Sequence, residues 1–417
     1  MPRRLILCTI FFDALGYGLL IPVLPDVLRR FDADPLFVSR YFGCFIAIHA
    51  VVQFVAAPAL GNLSDRFGRR PILLASLAGA AIDYLLMAFA PSLLLLFVGR
   101  VVSGLTSAGT ATAFAYMADI SDEGSRPGNF GLVAAALGVG IVAGPGVGGA
   151  LAEVGLPLPF LLAAGLNLLN FATALVLLPE SAGAASRRPL ALVRWTPIVA
   201  LRPLFLPSPL TRLFWCYLLL LLAGRATSSM WALFTGQRFA WTPFDIGASF
   251  AFMGLATAVG QGVLPRILVN RFGEGRTLRT GMLLASATSA AIAFATRGWH
   301  LYAILAVSAF SAVVVPVLQS RMSRTVPGDA QGALQGSLAS IASLTAIAGP
   351  LVYTNLFARG IRDGSHPWLT GVPFLVAAGF YLAAWWLVSR GEFRRGGTAS
   401  RCPVSETSQA VPRSGDR

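Results

Sequence analysis

Long apolar segments alternate with short polar ones along most of the chain, and this alternation predicts membrane-spanning helices. A helix needs about 20 residues to cross a hydrocarbon core about 30 Å thick. Twelve apolar runs reach this length, and arginine-, glycine- and proline-containing stretches separate them. The predicted spans are residues 5–25, 38–60, 71–90, 92–118, 130–152, 158–178, 209–232, 244–268, 278–296, 299–320, 331–357 and 366–389.

Composition supports the same conclusion. Of the 417 residues, 56% are hydrophobic and only 12% are charged, whereas soluble domains average about 25% charged residues. The net charge of +14 does not indicate nucleic-acid binding, because the arginines lie in short loops and form no basic face interleaved with aromatic residues. The expected partners are therefore a lipid bilayer and whatever crosses it, with no nucleic acid.

The distribution of arginine predicts the orientation. Twelve spans place both termini on one side, and the loops and tails of that side carry most of the arginines. The positive-inside rule therefore predicts cytoplasmic termini in a multi-pass protein of the bacterial inner (plasma) membrane. The first span is too long for a signal-peptide core, so we expect it to be retained. The other side carries fewer arginines, namely Arg29, Arg30, Arg40, Arg238, Arg297, Arg359 and Arg362.

A break in the hydrophobic pattern divides the chain near its middle. Residues 180–208 contain several prolines and four arginines and predict a cytoplasmic linker. The arginines of this linker are Arg187, Arg188, Arg194 and Arg202. The resulting units are an N-terminal six-helix bundle (1–179), a C-terminal six-helix bundle (209–390) and a polar, disordered cytoplasmic tail (391–417).

The two halves share an internal repeat. Arg66-Phe67-Gly68 recurs 205 positions later as Arg271-Phe272-Gly273, and Gly144-Pro145 recurs at the same offset as Gly349-Pro350. Two matches at one offset indicate a duplicated unit. The predicted fold class is an all-α membrane protein whose 12 transmembrane helices form two pseudo-symmetric six-helix bundles around a central pathway.

The loop from Gly61 to Arg70 concentrates charge between the second and third spans. Its glycines permit a sharp reversal, and Asp65 is placed to pair with a helix terminus or an arginine. The loop either takes part in gating or serves only to set topology. The candidate gating residues are Asp65, Arg66, Arg69 and Arg70.

The fifth span carries a run of small residues, Gly140-Ile-Val-Ala-Gly-Pro-Gly-Val-Gly-Gly149. Small residues on successive turns allow close helix contact, and a proline allows a bend. Gly144 and Pro145 are therefore further gating candidates. The alternative is ordinary glycine packing between membrane helices.

Asp83 in the third span and Arg100 in the fourth lie at similar depths, about 10 Å and 12 Å from the outer end. A charge at this depth is costly without a partner, so we predict that the two residues form a pair. The pair either fixes the helix register or takes part in proton movement.

Asp13 lies about 12 Å inside the first span, and no arginine of a neighbouring early helix is at its level. Desolvation favours the neutral form of an unpaired carboxyl group, as a proton-loading site requires. Asp13 is therefore either a proton or cationic-substrate site, or a hydrogen-bonded polar residue.

Other polar residues inside the spans are candidates for substrate binding. His49 and Gln53 lie four positions apart on one face of the second span, and Thr257 and Gln261 are similarly spaced on the eighth. His49 is either a titrating group or a satisfied hydrogen-bond donor. Arg225, in the seventh span, either receives an anionic group of the substrate or pairs with a carboxylate of the N-terminal half.

The sequence provides little basis for catalysis. Three histidines, His49, His300 and His366, are scattered without a carboxylate at ligand spacing, so neither a metal site nor an enzyme is predicted. No resident cofactor is expected.

The loop order G-x-L-S-D-R-x-G-R-R from Gly61 to Arg70 resembles the loop signature of the major facilitator superfamily. The G-x-x-x-G-P-x-x-G-G pattern of the fifth span is similar to the motif of its drug/proton antiporter branch. Further segments resemble tetracycline efflux antiporters. They are Asp13-Ala-Leu-Gly-Tyr-Gly-Leu-Leu-Ile-Pro-Val-Leu-Pro25, Asp83-Tyr-Leu-Leu-Met-Ala88, Trp231-Ala-Leu-Phe-Thr235 and Gln331-Gly-Ala-Leu-Gln-Gly336.

This resemblance implies proton-coupled efflux of a drug-like small molecule, tetracycline first, by alternating access in a monomer. By position it implies transport roles for Asp13, Asp83 and Arg100, and loop roles for Asp65 and Arg69. Gln53 and Gln261 would contact the drug, which that family carries as a magnesium chelate. Alternatives are export of another lipophilic drug or metabolite, or a non-exporting symporter.

Two positions depart from the family pattern. Thr257 stands where the family has a histidine, and Ala285 stands where it has an essential aspartate. Either proton coupling lies wholly in the N-terminal half, or the substrate is no longer the tetracycline chelate.

Overall fold

A computed structural model describes residues 2–122, 124–181, 201, 204–205, 210–327 and 330–393. Most of the predicted linker, with Arg187, Arg188, Arg194 and Arg202, lies outside the described residues, as does the predicted tail from residue 394 onwards. The described parts fold into α-helices joined by short turns. We number the helices in chain order and call the end of the bundle that carries residues 2 and 393 the inner end.

The first half contains seven helices. They are α1 (Pro2–Arg29), α2 (Pro35–Phe67), α3 (Arg69–Phe89), α4 (Leu93–Thr106), α5 (Gly109–Asp119), α6 (Arg126–Val154) and α7 (Leu158–Leu177). Helices α4 and α5 together form the fourth span, so the continuous run predicted at 92–118 is broken at residues 107–108. A sequence of apolar and small residues does not show this break.

The second half contains eight helices. They are α8 (Thr211–Phe239), α9 (Pro243–Gly262), α10 (Leu264–Phe272), α11 (Glu274–Phe294), α12 (Gly298–Ser308), α13 (Val314–Thr325), α14 (Gln331–Asp363) and α15 (Val372–Phe393). A short 3-10 turn, Ala309–Ser311, separates α12 from α13 within the tenth span. The span predicted at 244–268 ends earlier, at Gly262, and the separate helix α10 follows it.

Eleven spans of the described residues are long and apolar enough to cross a membrane. Helix α11 occupies the remaining, ninth position of the predicted twelve. Its 21 residues begin with Glu274 and include Arg276 and Arg279, so its first turns are more polar than those of the other spans. The all-α membrane architecture is confirmed, and several helices extend well beyond the predicted apolar runs.

The two halves repeat each other's geometry. Gly68 and Gly273, which are 205 positions apart, both join consecutive helices with positive φ angles of 106° and 76°. The fourth helix of the first half is broken at residues 107–108, and its equivalent in the second half is broken at 309–313. Each glycine thus permits a turn that other residues rarely adopt.

Core packing differs between the two ends of the molecule. Toward the outer end, one continuous core joins both halves, with Leu24 and Phe42 from the first half and Trp231 and Phe357 from the second. Toward the inner end, each half has a separate core. One contains Ile10, Leu73 and Tyr116, and the other contains Phe214, Met282 and Leu318. The halves are therefore joined outside and separated inside.

Candidate functional site

A cavity of about 410 Å³ lies between α2 of the first half and α8 and α14 of the second. Its volume is in the range of ligand-binding sites, which is about 300–1,000 Å³. Its polar lining residues include Gln53, Arg225, Ser340 and Ser343, and alanine side chains supply much of the rest. Two predicted substrate-binding residues, Gln53 and Arg225, thus face one cavity from opposite halves.

Gln53 connects this cavity to the broken fourth span. Its Nε2 donates a hydrogen bond of 2.8 Å to Oγ of Ser107, in the gap between α4 and α5. In the same gap, the backbone N–H groups of Ala108 and Gly109 donate to Oγ of Ser76, at 3.3 Å and 3.0 Å. Side chains of α2 and α3 therefore satisfy groups that the helix break leaves unpaired.

Asp13 is half-buried on α1 and faces the same break. A Cβ placed on Gly109 would lie 3.4 Å from Oδ2 of Asp13. Within the described part of the chain, no side chain forms a hydrogen bond or ion pair with Asp13. The carboxyl group therefore lies against the discontinuous span without a counter-charge, in the position that the depth argument predicts.

Asp83 and Arg100 form the predicted ion pair. Nε of Arg100 donates to Oδ1 of Asp83 at 3.1 Å, and a second guanidinium nitrogen contacts Oδ2. Both residues are buried, with 1% and 4% of their surface exposed. The guanidinium also lies 5.0 Å from the centre of the Phe45 ring. A bidentate, buried pair of this kind is strongly stabilised once formed, and leaving either member alone is costly.

His49 does not line the cavity with Gln53, contrary to the shared polar stripe that we predicted. Its imidazole lies beside Arg100 and reaches the backbone of that residue. The Nδ1 atom is buried and has no hydrogen-bond partner among the described residues. His49 therefore belongs to the surroundings of the Asp83–Arg100 pair.

The predicted stripe on the eighth span also lies apart from the cavity. Thr257 is half-buried and Gln261 is exposed on α9, and neither residue lines the cavity. The structure therefore does not bring Thr257 and Gln261 together with Gln53 and Arg225 in this conformation.

Arg69 is at the centre of the charged loop at the inner end. Its Nη1 donates to Oδ1 of Asp65 at 2.6 Å, and its Nε donates to Oδ2 of Asp119 at 3.3 Å. Asp119 is the last residue of α5, so the arginine joins α2 to the fourth span. Of the other predicted residues, Arg66 lies over the Phe67 ring, and the Arg70 side chain donates to the Leu175 carbonyl.

Glu180 caps the start of α3. Its two carboxylate oxygens accept hydrogen bonds from the backbone N–H groups of Arg69 (2.8 Å) and Arg70 (3.2 Å). A carboxylate at a helix N-terminus is favoured by the helix dipole. We did not predict a role for Asp119 or Glu180. The available signal was that both are acidic residues at the inner ends of otherwise apolar spans.

The second half contains a related pair with the charges reversed. Glu274 and Arg324 stand 205 positions after Arg69 and Asp119, and they form an ion pair between α11 and α13. The arginine of this pair is 60% exposed, whereas the side chain of Arg69 is 19% exposed. The repeat therefore preserves the location of the contact but not its polarity or burial.

We expect these two contacts to differ in strength. Arg324→Ala should lower stability by less than about 1 kcal/mol, because exposed ion pairs contribute little. Arg69→Ala should cost about 1–3 kcal/mol, because it leaves Asp65 and Asp119 without their shared donor. The measurement is the melting temperature of each detergent-solubilised variant by fluorescence-detected gel filtration. Equal shifts for the two variants would contradict this expectation.

Helix α6 packs closely against α1 through its glycines. A Cβ on Gly140, Gly144 or Gly148 would lie 2.5–2.6 Å from a carbonyl oxygen of α1. These distances are far shorter than real Cβ contacts, so the three positions tolerate only glycine at this separation. The α1 oxygens belong to Phe11, Leu15 and Leu19.

The opposite face of α6 contacts α9 of the second half. A Cβ on Gly149 would lie 2.2 Å from the carbonyl oxygen of Pro243, and a Cβ on Gly247 would lie 2.2 Å from that of Pro145. The small-residue motif predicted from the sequence therefore forms the joint between the two halves, with Gly144 and Pro145 at its centre.

Polar contacts close the outer end. Oγ of Ser39 donates to the Thr354 carbonyl at 2.9 Å, and Oγ1 of Thr242 donates to Oε1 of Glu153 at 2.9 Å. By contrast, there is open space beside several glycines of the inner half of the bundle. These are Gly61, Gly128, Gly131, Gly138, Gly262, Gly332 and Gly336. The conformation is closed at the outer end and open at the inner end.

Comparisons with known proteins agree with this architecture. Residues 6–350 match the family profile of the Major Facilitator Superfamily. The chain is 41% identical to the tetracycline resistance protein, class C, of Escherichia coli, covering 94% of this chain and 97% of that protein. It is 40% identical to the class G protein of Vibrio anguillarum, covering 86% and 91%.

A solved structure shows the same fold. The human organic anion transporter MFSD10 (TETRAN) superimposes with a TM-score of 0.67 at 25% identity, covering 93% of this chain and 98% of that one. The profile match and the identity to the resistance proteins extend over most of the chain. The chain therefore belongs to the major facilitator superfamily and, within it, to the family of the tetracycline resistance proteins.

Proposed function

We propose that this protein exports tetracycline from the bacterial cytoplasm across the inner membrane in exchange for protons. The observation that carries the proposal is the 41% identity to the class C tetracycline resistance protein over nearly the full length of both chains. A cavity between the two halves, with Gln53 and Arg225 in its lining, supplies a place for the drug. The proposal needs no resident cofactor, because any magnesium involved is bound to the substrate.

The proposed orientation places the inner end in the cytoplasm. Most arginines in loops and tails lie at that end, as the positive-inside rule requires. The described conformation then opens the cavity toward the cytoplasm, from which a drug would be taken up. One copy of the chain contains the whole cavity, so we propose that the monomer is the transporting unit.

Alternating access would require the outer contacts to separate. The Ser39–Thr354 and Thr242–Glu153 hydrogen bonds would break, and the separate inner cores would approach each other. The glycine contacts of α6 with α1 and α9 would act as the pivot, because backbone packed on backbone permits sliding without bulky side chains.

We propose that Asp13 carries the coupled proton. It is a carboxyl group without a counter-charge, it faces the break between α4 and α5, and the Ser76 and Gln53 side chains bind that same break. A change in its charge would therefore be felt by the fourth span. The Asp83–Arg100 pair lies deeper in packed structure, so it would respond to a proton only if the pair opened.

A second candidate substrate is a different lipophilic drug or metabolite. Thr257 and Ala285 motivate this alternative, because they replace a histidine and an aspartate that the family resemblance leads us to expect. Ala285 is buried in α11, with 7% of its surface exposed, so the second half has no carboxyl group at that position.

The test is accumulation of tetracycline by everted membrane vesicles under an imposed proton gradient, with magnesium and again with EDTA. We expect the wild-type chain to accumulate drug and Asp13→Asn to accumulate no more than empty membranes. Asp26→Asn is the matched control, because it removes a carboxylate of the same helix that pairs with Arg29 at the outer end.

Two results would count against the proposal in different ways. Full gradient-driven accumulation by Asp13→Asn would remove the assigned proton site. No accumulation by the wild-type chain, with the protein shown in the membrane by immunoblot, would mean that the substrate has changed, and other lipophilic drugs would then be assayed.

A further inference from the structure

Arg225 is the one charged side chain among the residues that line the cavity between the halves. Its neighbours there are Gln53, two serines and mostly alanine. An arginine within a membrane-spanning helix is costly unless something compensates its charge, and such residues mark substrate or ion pathways.

No carboxylate of the described residues compensates Arg225. The one hydrogen bond found for its guanidinium runs from Nη2 to the Ala342 carbonyl at 3.3 Å. The other carboxylates inside or near the spans have their own positions. Asp83 pairs with Arg100, Asp245 caps α9 with Thr242, Glu274 pairs with Arg324, and Asp13 faces Gly109.

Gly349 shows that the fold accommodates this arginine specifically. A Cβ on Gly349 would lie 2.5 Å from Cβ and 2.8 Å from Cγ of Arg225. The aliphatic part of the arginine therefore packs directly on the backbone of α14. At the equivalent place in the first half, Gly144 packs on the backbone of α1 instead. The repeat has thus turned a helix-packing glycine into a seat for a charged side chain.

We propose that Arg225, with Gln53 and Ser343 opposite, forms an anion subsite that selects substrates in a negatively charged form. The substrate class is an apolar, ring-containing body that bears a carboxylate or an enolate. A guanidinium recognises such groups with two parallel hydrogen bonds. The alanine-rich remainder of the cavity suits the apolar body. The inference deepens the proposed function and rests on it for tetracycline, whose metal-free anion should bind better than its magnesium chelate.

The experiment measures ligand binding to the purified full-length protein by scintillation proximity. Four radiolabelled probes are compared, namely tetracycline with EDTA, tetracycline with excess magnesium, 1-naphthoate and its neutral amide, 1-naphthamide. We expect wild-type protein to bind each anionic probe about tenfold more tightly than its partner, the size expected for one hydrogen-bonded charge. Arg225→Gln should abolish both preferences.

Two further variants secure the interpretation. Arg225→Lys keeps the charge and should retain the preference for 1-naphthoate with weaker binding, even where Arg225→Gln lowers the yield of folded protein. Arg40→Gln removes an exposed arginine of α2 outside the cavity and should leave both preferences unchanged.

The outcomes separate the two proposals. If neither form of tetracycline binds but naphthoate binds in preference to the amide in an Arg225-dependent way, the subsite stands and the tetracycline proposal fails. Equal binding of naphthoate and naphthamide, binding of neither, or a preference that persists in Arg225→Gln overturns the subsite.

Discussion

Arg100→Ala is expected to remove most of the protein from the membrane. The substitution leaves the Asp83 carboxylate buried beside Gly99 without its donor, and breaking one partner of a buried ion pair costs about 3–5 kcal/mol. That is a large part of the stability of a typical protein. The measurement is the amount of full-length protein in isolated membranes by quantitative immunoblot, together with transport per molecule of protein.

A double variant separates the structural role of the pair from a role in proton movement. Asp83→Asn combined with Arg100→Gln removes both charges and keeps groups able to hydrogen bond, so protein abundance should recover. If transport per molecule also recovers, the pair fixes helix register. If abundance recovers and gradient-driven transport does not, the pair takes part in coupling. A normal amount of the single Arg100→Ala variant would show that the buried pair contributes little to stability.

The sequence predicted this pair because depth within a membrane helix follows from residue number. Each residue advances the helix by 1.5 Å, so two charges at equal depth on consecutive spans are natural partners. The same arithmetic placed Asp13 away from any arginine. The unpaired state of Asp13 and the pairing of Asp83 were therefore accessible from spacing alone.

The charged cluster at the inner end was only partly accessible. Asp65 and Arg69 are four residues apart, so their contact follows from local geometry. Asp119 and Glu180 lie 50 and 111 positions away from Arg69 in the chain. They reach it only because the third, fourth and sixth spans end at the same face. A pattern of apolar runs predicts how many helices there are but not which of their ends are neighbours.

Rotation about the helix axis limited the prediction for the second span. Positions four apart differ by about 40° around a helix. Over that angle Gln53 reaches the cavity and Ser107, whereas His49 reaches Arg100. Similarly, the break in the fourth span depends on Ser76 of another helix, so the apolar run from 92 to 118 gave no sign of it.

Gly144→Ala is expected to abolish transport, whereas Gly138→Ala on the same helix should leave it intact. A Cβ on Gly144 would lie 2.6 Å from the Leu15 carbonyl oxygen and 2.7 Å from Cα of Gly18. Both are backbone atoms, so α1 and α6 must separate, and overpacking of this kind costs about 1–3 kcal/mol or more.

Gly138 provides the matched control, because a Cβ there would meet nothing within 4 Å. Alanine is also the better helix former by about 1 kcal/mol at an interior position, so propensity works in the same direction at both sites and only the contact differs. The measurement is gradient-driven export per molecule for each variant, with the accessibility of a cysteine introduced at exposed Gly131 as a reporter of the inner opening. Normal transport by Gly144→Ala would show that α6 does not need its close approach to α1. Loss of transport with a changed cysteine accessibility would identify this contact as the pivot between the two halves.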